Sequence, residues 1–388
     1  MEIEVKNEAI SVPELQLAQY QFILINGPKD HVATAQQALD KAIKDDSLTF
    51  IYKQTCEMLG VQENAVLIQT MEAENKKVLE ELDEKIKAAE ELGDLELTSA
   101  MIAKAEYFAK IGDKNSAIAL YTETADRSTT TFNHKLNISF GLLHLGFFYM
   151  DTKLVQKQIE KAKELVDRGG DWERRNRLKA YECIWWTYHR DFNKASKLFL
   201  ECLSTFASPE LMSFQEFIKI GCVVCALSLG RADLKNKIIS SPEVLEVIVD
   251  APDISLLLNS LYDCKYAEFF QGLASIEQAH LKTSRYLYLH YRYYTKEMRI
   301  KAYAQLLQSY RSLTLSSMAS SFGVTEEFID RDLSRFIVAG RLHCVIDKVA
   351  GVVETNRPDK KNDEYQATIK QGDLLLNRIQ KLSRVINI

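Results

Sequence analysis

Residues 312–355 read SLTLSSMASSFGVTEEFIDRDLSRFIVAGRLHCVIDKVAGVVET, and the apolar period changes repeatedly along them. Ser312-Leu313-Thr314-Leu315 is short and extended, and Ser316–Phe322 predicts a short helix ended by Gly323. Thr325 stands where a helix is capped, with Glu326 and Glu327 at its positive end. Ile329, Leu333, Phe336 and Ile337 then form one helical face, which stops at Gly340. Leu342, Cys344 and Ile346 alternate with His343 and Asp347 as a strand does, and Gly351-Val352-Val353-Glu354-Thr355 suits a second strand. Just upstream, Met298, Ala302, Tyr303, Leu306, Leu307 and Tyr310 share a helical face. Helix, short strand, helix, turn, helix and a two-stranded wing is the order of a winged helix-turn-helix.

Upstream of this module a repeat is visible. Gly112, Asp151, Arg190 and Gly230 sit in turns between helical runs, at steps of 39, 39 and 40. Each turn carries Gly or Asp, which accept left-handed or turn angles. Ala117 and Tyr121 in the first unit match Ala195 and Phe199 in the third, a small residue for close approach and a large one beside it. The pattern resembles tetratricopeptide-like hairpins with a longer, looser period, and such units must stack to bury their faces. Further upstream, residues 12–70 suggest short helices, and Val78, Leu82, Ile86 and Ala89 make a thin apolar stripe on a charged helix over 71–92. Downstream, Asn356-Arg357-Pro358-Asp359 breaks the chain, and Leu375, Ile379, Leu382 and Ile386 recur at 4, 3 and 4 as a seam on a last helix.

The expected fold class is all-α dominated: a right-handed α-solenoid of TPR-like hairpins, then a winged-helix module with a small β-wing and a C-terminal helix. The expected domains are 1–92, an N-terminal helical region; 93–250, the repeats; 251–356, helical linker and winged helix; and 357–388, the terminal helix. Composition agrees. The chain has 388 residues, 46% hydrophobic and 27% charged, with only 6 Pro and 15 Gly to interrupt helices. Its net charge of −5 gives no broad basic field for nucleic acid or anionic lipid. Glu2 and Glu4 argue against a secretory leader, and the longest apolar run, near Ile220–Leu229, is too short to span a bilayer. Seven Cys form no regular framework, as expected of free thiols in a reducing compartment.

Catalytic chemistry is hard to find. Cys222 and Cys225 have ligand spacing but no second pair, so two buried structural thiols are the better reading. The seven His form neither His-x-His nor His-Glu-x-x-His, and Gly-Lys, Gly-x-Gly-x-x-Gly and Gly-x-Ser-x-Gly are absent. The candidate recognition helix 326–339 carries Glu326, Glu327, Asp330 and Asp332 against Arg331 and Arg335, so phosphates would repel it. Protein docking is favoured over nucleic-acid reading. Trp172, Arg174 and Arg175, in the segment 169–179, are either partner contacts or a helix start whose arginines pair locally. The cluster Tyr286, Tyr288, His290, Tyr291, Arg292, Tyr293 and Tyr294 suggests internal packing in preference to base stacking.

A solenoid running into a winged helix with a helix behind it resembles the PCI-domain family, whose members build the scaffolds of the proteasome lid, the signalosome and a translation initiation complex. The segments GGDWERRNRLK (169–179), HYRYYTKEMRIKAYAQLLQSYRSLTL (290–315), AGRLHCVIDKV (339–349), ETNRPDKKN (354–362) and KQGDLLLNRIQKLSRVINI (370–388) carry the resemblance, and they look most like a subunit of the proteasome lid. The resemblance implies a non-catalytic scaffold, with no catalytic residue, cofactor or metal, supporting ATP-dependent degradation of ubiquitinated proteins. It implies a hetero-oligomer with other lid subunits, PCI and deubiquitinase subunits among them, and with the ATPase ring, in cytoplasm and nucleus, with no nucleic acid or membrane partner. It places Leu375, Ile379, Leu382 and Ile386 in a shared helix bundle, and Leu342, Cys344, Ile346, Val352 and Val353 on a wing that pairs edge to edge. The alternatives are a signalosome scaffold, a winged-helix nucleic-acid binder and an enzyme with a composite site.

Overall fold

The computed structural model describes residues 12–127, 129–356 and 360–386. The acidic start, Met1–Ile10, and the predicted break at Arg357-Pro358-Asp359 lie outside the described residues. The chain forms two compact units, one built from the chain up to Leu258 with Ala274–Arg292, the other from Asn259–Leu273 with the chain from Tyr293 onward.

The first unit opens with α1 (Leu15–Asn26), α2 (Lys29–Asp46), α3 (Thr49–Leu59) and the long α4 (Ala65–Leu92). The stripe Val78, Leu82 and Ile86 on α4 is half-buried, and Ala89 fully so. The hairpins α5 (Asp94–Ile111)/α6 (Lys114–Asp126), α7 (Phe132–Tyr149)/α8 (Thr152–Gly169) and α9 (Trp172–Tyr188)/α10 (Phe192–Cys202) follow. Each packs on the next, and α10 packs on α11 (Phe214–Ser228).

One chemical device makes each hairpin turn. Gly112, Met150 and Arg190 take left-handed φ of 96°, 52° and 63°. The next residue is always Asp, and Asp113, Asp151 and Asp191 accept the backbone N–H of Ser116, Leu154 and Lys194, each at 3.2 Å. Each Asp satisfies an orphan donor of the following helix. The turn at Gly230 departs from this. Its φ is −70°, no Asp follows, and α12 (Arg231–Leu234) completes one turn before a wider π turn over Lys235–Ile239. Close helix approach needs small residues where the sequence put them: Ala117 and Ala195 are fully buried beside Tyr121 and Phe199. At Gly221 on α11 an added Cβ would lie 1.9 Å from Phe199 Cε2. Then come α13 (Pro242–Ile248) and the start of α14 (Pro252–Asp263); the end of α14 and α15 (Tyr266–Ile276) up to Leu273 belong to the second unit, and the π turn over Glu277–Leu281 that follows α15 returns to the first.

The second unit holds α16 (Tyr291–Ser309) from Tyr293 on, β1 (Ser312–Thr314), α17 (Leu315–Phe322), α18 (Glu326–Val338), β2 (Cys344–Asp347), β3 (Val352–Thr355) and α19 (Lys360–Ile386). Tyr303 is its centre, with rings of Phe322 at 4.8 Å and Phe336 at 6.1 Å. Ile329, Leu333 and Met318 close the core, whereas Ile337 is only half-buried and Tyr310 is exposed. Gly323 ends α17 in left-handed conformation, and Thr325 precedes α18 without making a side-chain cap. Charged clasps hold the helices: Arg341 grips Glu297 with both terminal nitrogens, at 2.9 and 2.5 Å, and Arg299 pairs with Asp332 at 2.9 Å. The sheet is antiparallel in the order β1-β3-β2, with Leu313, Val353 and Ile346 in register.

Candidate protein-interaction site

The terminal helix is the most exposed apolar feature of the second unit. Leu375, Ile379, Leu382 and Ile386 are each more than half exposed, and so are Tyr365, Ile369, Leu374, Leu376 and Val385. At 100° per residue these nine positions sweep roughly 220° of the helix surface. Gln366, Lys370, Asp373, Asn377, Gln380 and Arg384 fill the remaining arc, and Glu364, Thr368, Gln371, Arg378 and Ser383 are interspersed among the apolar positions. A two-helix seam needs only the a and d positions. A sweep this wide is buried only by neighbours on more than one side. Sequence reasoning selected the one seam and missed the other five residues. Plotting every apolar side chain on the helical wheel would have found them.

The wing differs from expectation. β3 lies between β1 and β2, so Val352 and Val353 are on the central strand, with both backbone edges already paired. They offer no free edge, and Val353 is fully buried. The reason is that Ser312–Thr314 supplies a third strand, which takes one side of β3. Both outer strands, the three-residue β1 and the longer β2, have one side without a partner strand among the described residues, and β2 offers the longer open edge. On it Cys344 is buried, Ile346 is half-buried and Val345 faces outward. Leu342, just before β2, is buried. These residues therefore brace the edge, and its backbone is the part available for pairing.

Segment 169–179 divides in two. Trp172, 66% exposed, and Arg175 face solvent. Arg174 turns inward, giving Nη1 to Asn133 Oδ1 at 2.8 Å, so its side chain is occupied within the unit. Arg177 goes deeper, its Nε 2.5 Å from Glu210 Oε1 and its guanidinium 4.4 Å over the Phe140 ring. Asp171 stands at the start of α9 but makes no side-chain cap.

The tyrosine cluster is largely internal. Tyr286 is buried beside Phe147, Tyr288 packs on Phe22 at 5.2 Å, and His290 Nε2 lies 2.6 Å from the Tyr188 carbonyl. Tyr294 is fully buried. On α18, Glu326 and Glu327 stay exposed, while Asp332 is buried against Arg299. Cys222 and Cys225 are both buried on α11, where burial pushes the Cys222 thiol up to about 12. Among the described residues no three His, Cys, Asp or Glu side chains gather as metal ligands. No described helix is long and apolar enough to cross a membrane.

Comparison with known proteins places the chain in a family. The family profile described as 26S proteasome subunit RPN7 matches residues 64–237. A PCI domain matches residues 266–357, and the RPN7/PSMD6 C-terminal helix matches 365–386. The 26S proteasome non-ATPase regulatory subunit 6 of Oryza sativa subsp. japonica is 45% identical over 387 residues, 99% of either chain. That of Dictyostelium discoideum is 44% identical over 381 residues, covering 97% of this chain and 98% of its own. The 26S proteasome regulatory subunit rpn7 of Schizosaccharomyces pombe is 43% identical over 390 residues, 98% of either chain. With likeness of that depth running nearly end to end, and with the exposed terminal helix itself a recognised family element, the chain belongs to the RPN7/PSMD6 family of 26S proteasome regulatory subunits.

Proposed function

We propose that the chain is a non-catalytic scaffold of the proteasome regulatory particle lid, working in cytoplasm and nucleus. It joins its neighbours through α19 and the β2 edge. The observation that carries this reading is the state of α19, nine large apolar residues left in solvent on one helix. Burying such a side chain contributes about 1.5–3 kcal/mol before ordering is subtracted. Helix packing and edge pairing call for other protein chains, and the names of the relatives make proteasome subunits the natural ones. PCI and deubiquitinase subunits of the lid and the ATPase ring are the specific partners proposed. The exposed pair Trp172 and Arg175 on the first unit is proposed as a secondary contact. The boundaries 93–250 and 251–356 are offered as the working division between a projecting arm and an assembly module. The profiles and relatives named for a complex all name the proteasome, which favours it over the signalosome.

The test is Leu382→Asp, introduced into cells in place of the native chain. The purified variant should melt like the wild type, while native gels show it largely absent from the assembled lid. Normal incorporation would refute the role of α19.

A further inference from the structure

The first unit contains a cavity of about 400 Å³, within the size range of small-molecule sites. Its walls come from α1, from α11 with the residues just before it, and from the segment 279–287. Gln19 of α1 fastens two walls together, its Nε2 donating to the Thr283 carbonyl at 2.6 Å and its Oε1 accepting from the Arg285 backbone N–H at 3.2 Å.

The lining has two characters. Leu211, Met212 and Val223 give a buried apolar floor. Lys219 and Arg285 give a basic side, with the His280 imidazole as a polar group beside them, against one lining carboxylate, the exposed Glu216. Neither Lys219 nor Arg285 has a carboxylate within ion-pair distance among the described residues. Arg285 Nη2 donates to the Phe148 carbonyl, while Nη1 is sealed from solvent with no partner. Burial is the main influence on this guanidinium and pushes its pKa down, and the phenols of Tyr286 and Tyr188 near it are uncharged at neutral pH. His280 is held neutral first by burial and then by Lys219, with Asp253 opposing. A cation sunk without a counter-charge is costly, and an anion nearby relieves the cost.

We propose that this cavity binds a small organic anion, a carboxylate or phosphate monoester on an apolar body. Lys219 and His280 meet the charged group from the lining, and Arg285 supplies positive field from behind the wall. The apolar body rests on Leu211, Met212 and Val223. The site belongs to the first unit and shares no residue with α19 or β2, so it stands or falls independently of the scaffold reading.

The full-length chain is titrated calorimetrically with phenyl phosphate, benzoate and benzyl alcohol. At least one of the two anions should bind about tenfold or more tighter than benzyl alcohol, a difference near 1.4 kcal/mol. Whichever anion is preferred identifies the source as phosphate or carboxylate. Lys219→Met should weaken that binding severalfold at unchanged melting temperature, with Lys219→Gln as the second variant should Met disturb α11. Lys87→Met, on the exposed face of α4, should leave it unaltered. Equal binding of benzyl alcohol, indifference to loss of Lys219, or no binding of any probe would each overturn the proposal.

Discussion

Arg177 and Glu210 show what one residue can hide from a sequence reader. In print Arg177 is one of several arginines after a Gly-Gly pair, with acidic residues close by as partners. In the fold its partner is 33 positions away, and the Glu210 side chain is only 2% exposed. No local period encodes that distance. Arg177 Nη2 and Glu210 Oε2 are both buried without a partner, so the pair is only partly satisfied. Arg177→Ala should therefore cost about 3 kcal/mol by stranding a buried carboxylate, while Arg177→Met with Glu210→Leu should recover most of it. Urea unfolding measures both, and equal losses in single and double variants would contradict the assignment. Close by, His144 is completely buried, its Nε2–H donating to the Pro13 carbonyl at 2.8 Å and its Nδ1 3.2 Å from the Tyr181 hydroxyl. Burial pushes its pKa down to about 4 from the ordinary 6.5. Between those values the unfolded chain takes a proton that the folded chain refuses. The contribution to stability is thus complete above about pH 6.5 and is lost as pH falls toward 4, on the order of 3 kcal/mol in all. His144→Gln keeps a donor for Pro13 and removes the titration, so its melting temperature should fall less than the wild type's between pH 6.5 and 4.5. Parallel curves would show that other groups dominate that range.

Among elements, the hairpin turns were legible because their chemistry is local. A left-handed residue followed by a capping Asp occupies two adjacent positions, and the recurrence of Gly112, Asp151 and Arg190 exposed it. Asp151 does more than its equivalents: it caps α8 and also pairs with Lys114 of the preceding hairpin at 2.6 Å. The Lys114 hydrogen bond is the main reason its carboxyl sits below the usual range. Asp151→Ala should destabilise by about 1–2 kcal/mol, most of it from the lost cap. Asp151→Asn keeps the cap acceptor and should retain most of the stability in thermal melts. If both variants melt alike, the cap is not what matters. The wing was legible as two strands but not in its order. Pairing of β1 with β3 joins residues about 40 apart through a segment of three residues, too short to display a period. That one unseen pairing moved Val352 and Val353 from the edge to the middle of the sheet.

Across the whole molecule, the same physics that makes α19 conspicuous makes it dispensable to the fold of the free chain. All its described side chains are exposed, so it adds no burial to either unit's core. Tertiary packing supplies most helical stability in proteins, and the 27-residue α19 has its described side chains in solvent. Its amides in the isolated chain should exchange with deuterium far faster than those of α7, whose Phe140, Leu143 and Leu145 are fully buried. A chain ending at Asn356 should melt within a degree or so of the full length, since the charged clasps Glu297–Arg341 and Arg299–Asp332 and the three-stranded sheet remain. In an assembled particle the order should invert, with residues 360–386 among the best protected, because a roughly 220° apolar sweep is shielded only when helices close on it from more than one side. Hydrogen exchange on both forms, followed by mass spectrometry, separates the possibilities. Slow exchange of α19 in the free chain, or a drop of many degrees on truncation, would mean that the helix belongs to the subunit's own core and would remove the physical basis for its role in assembly.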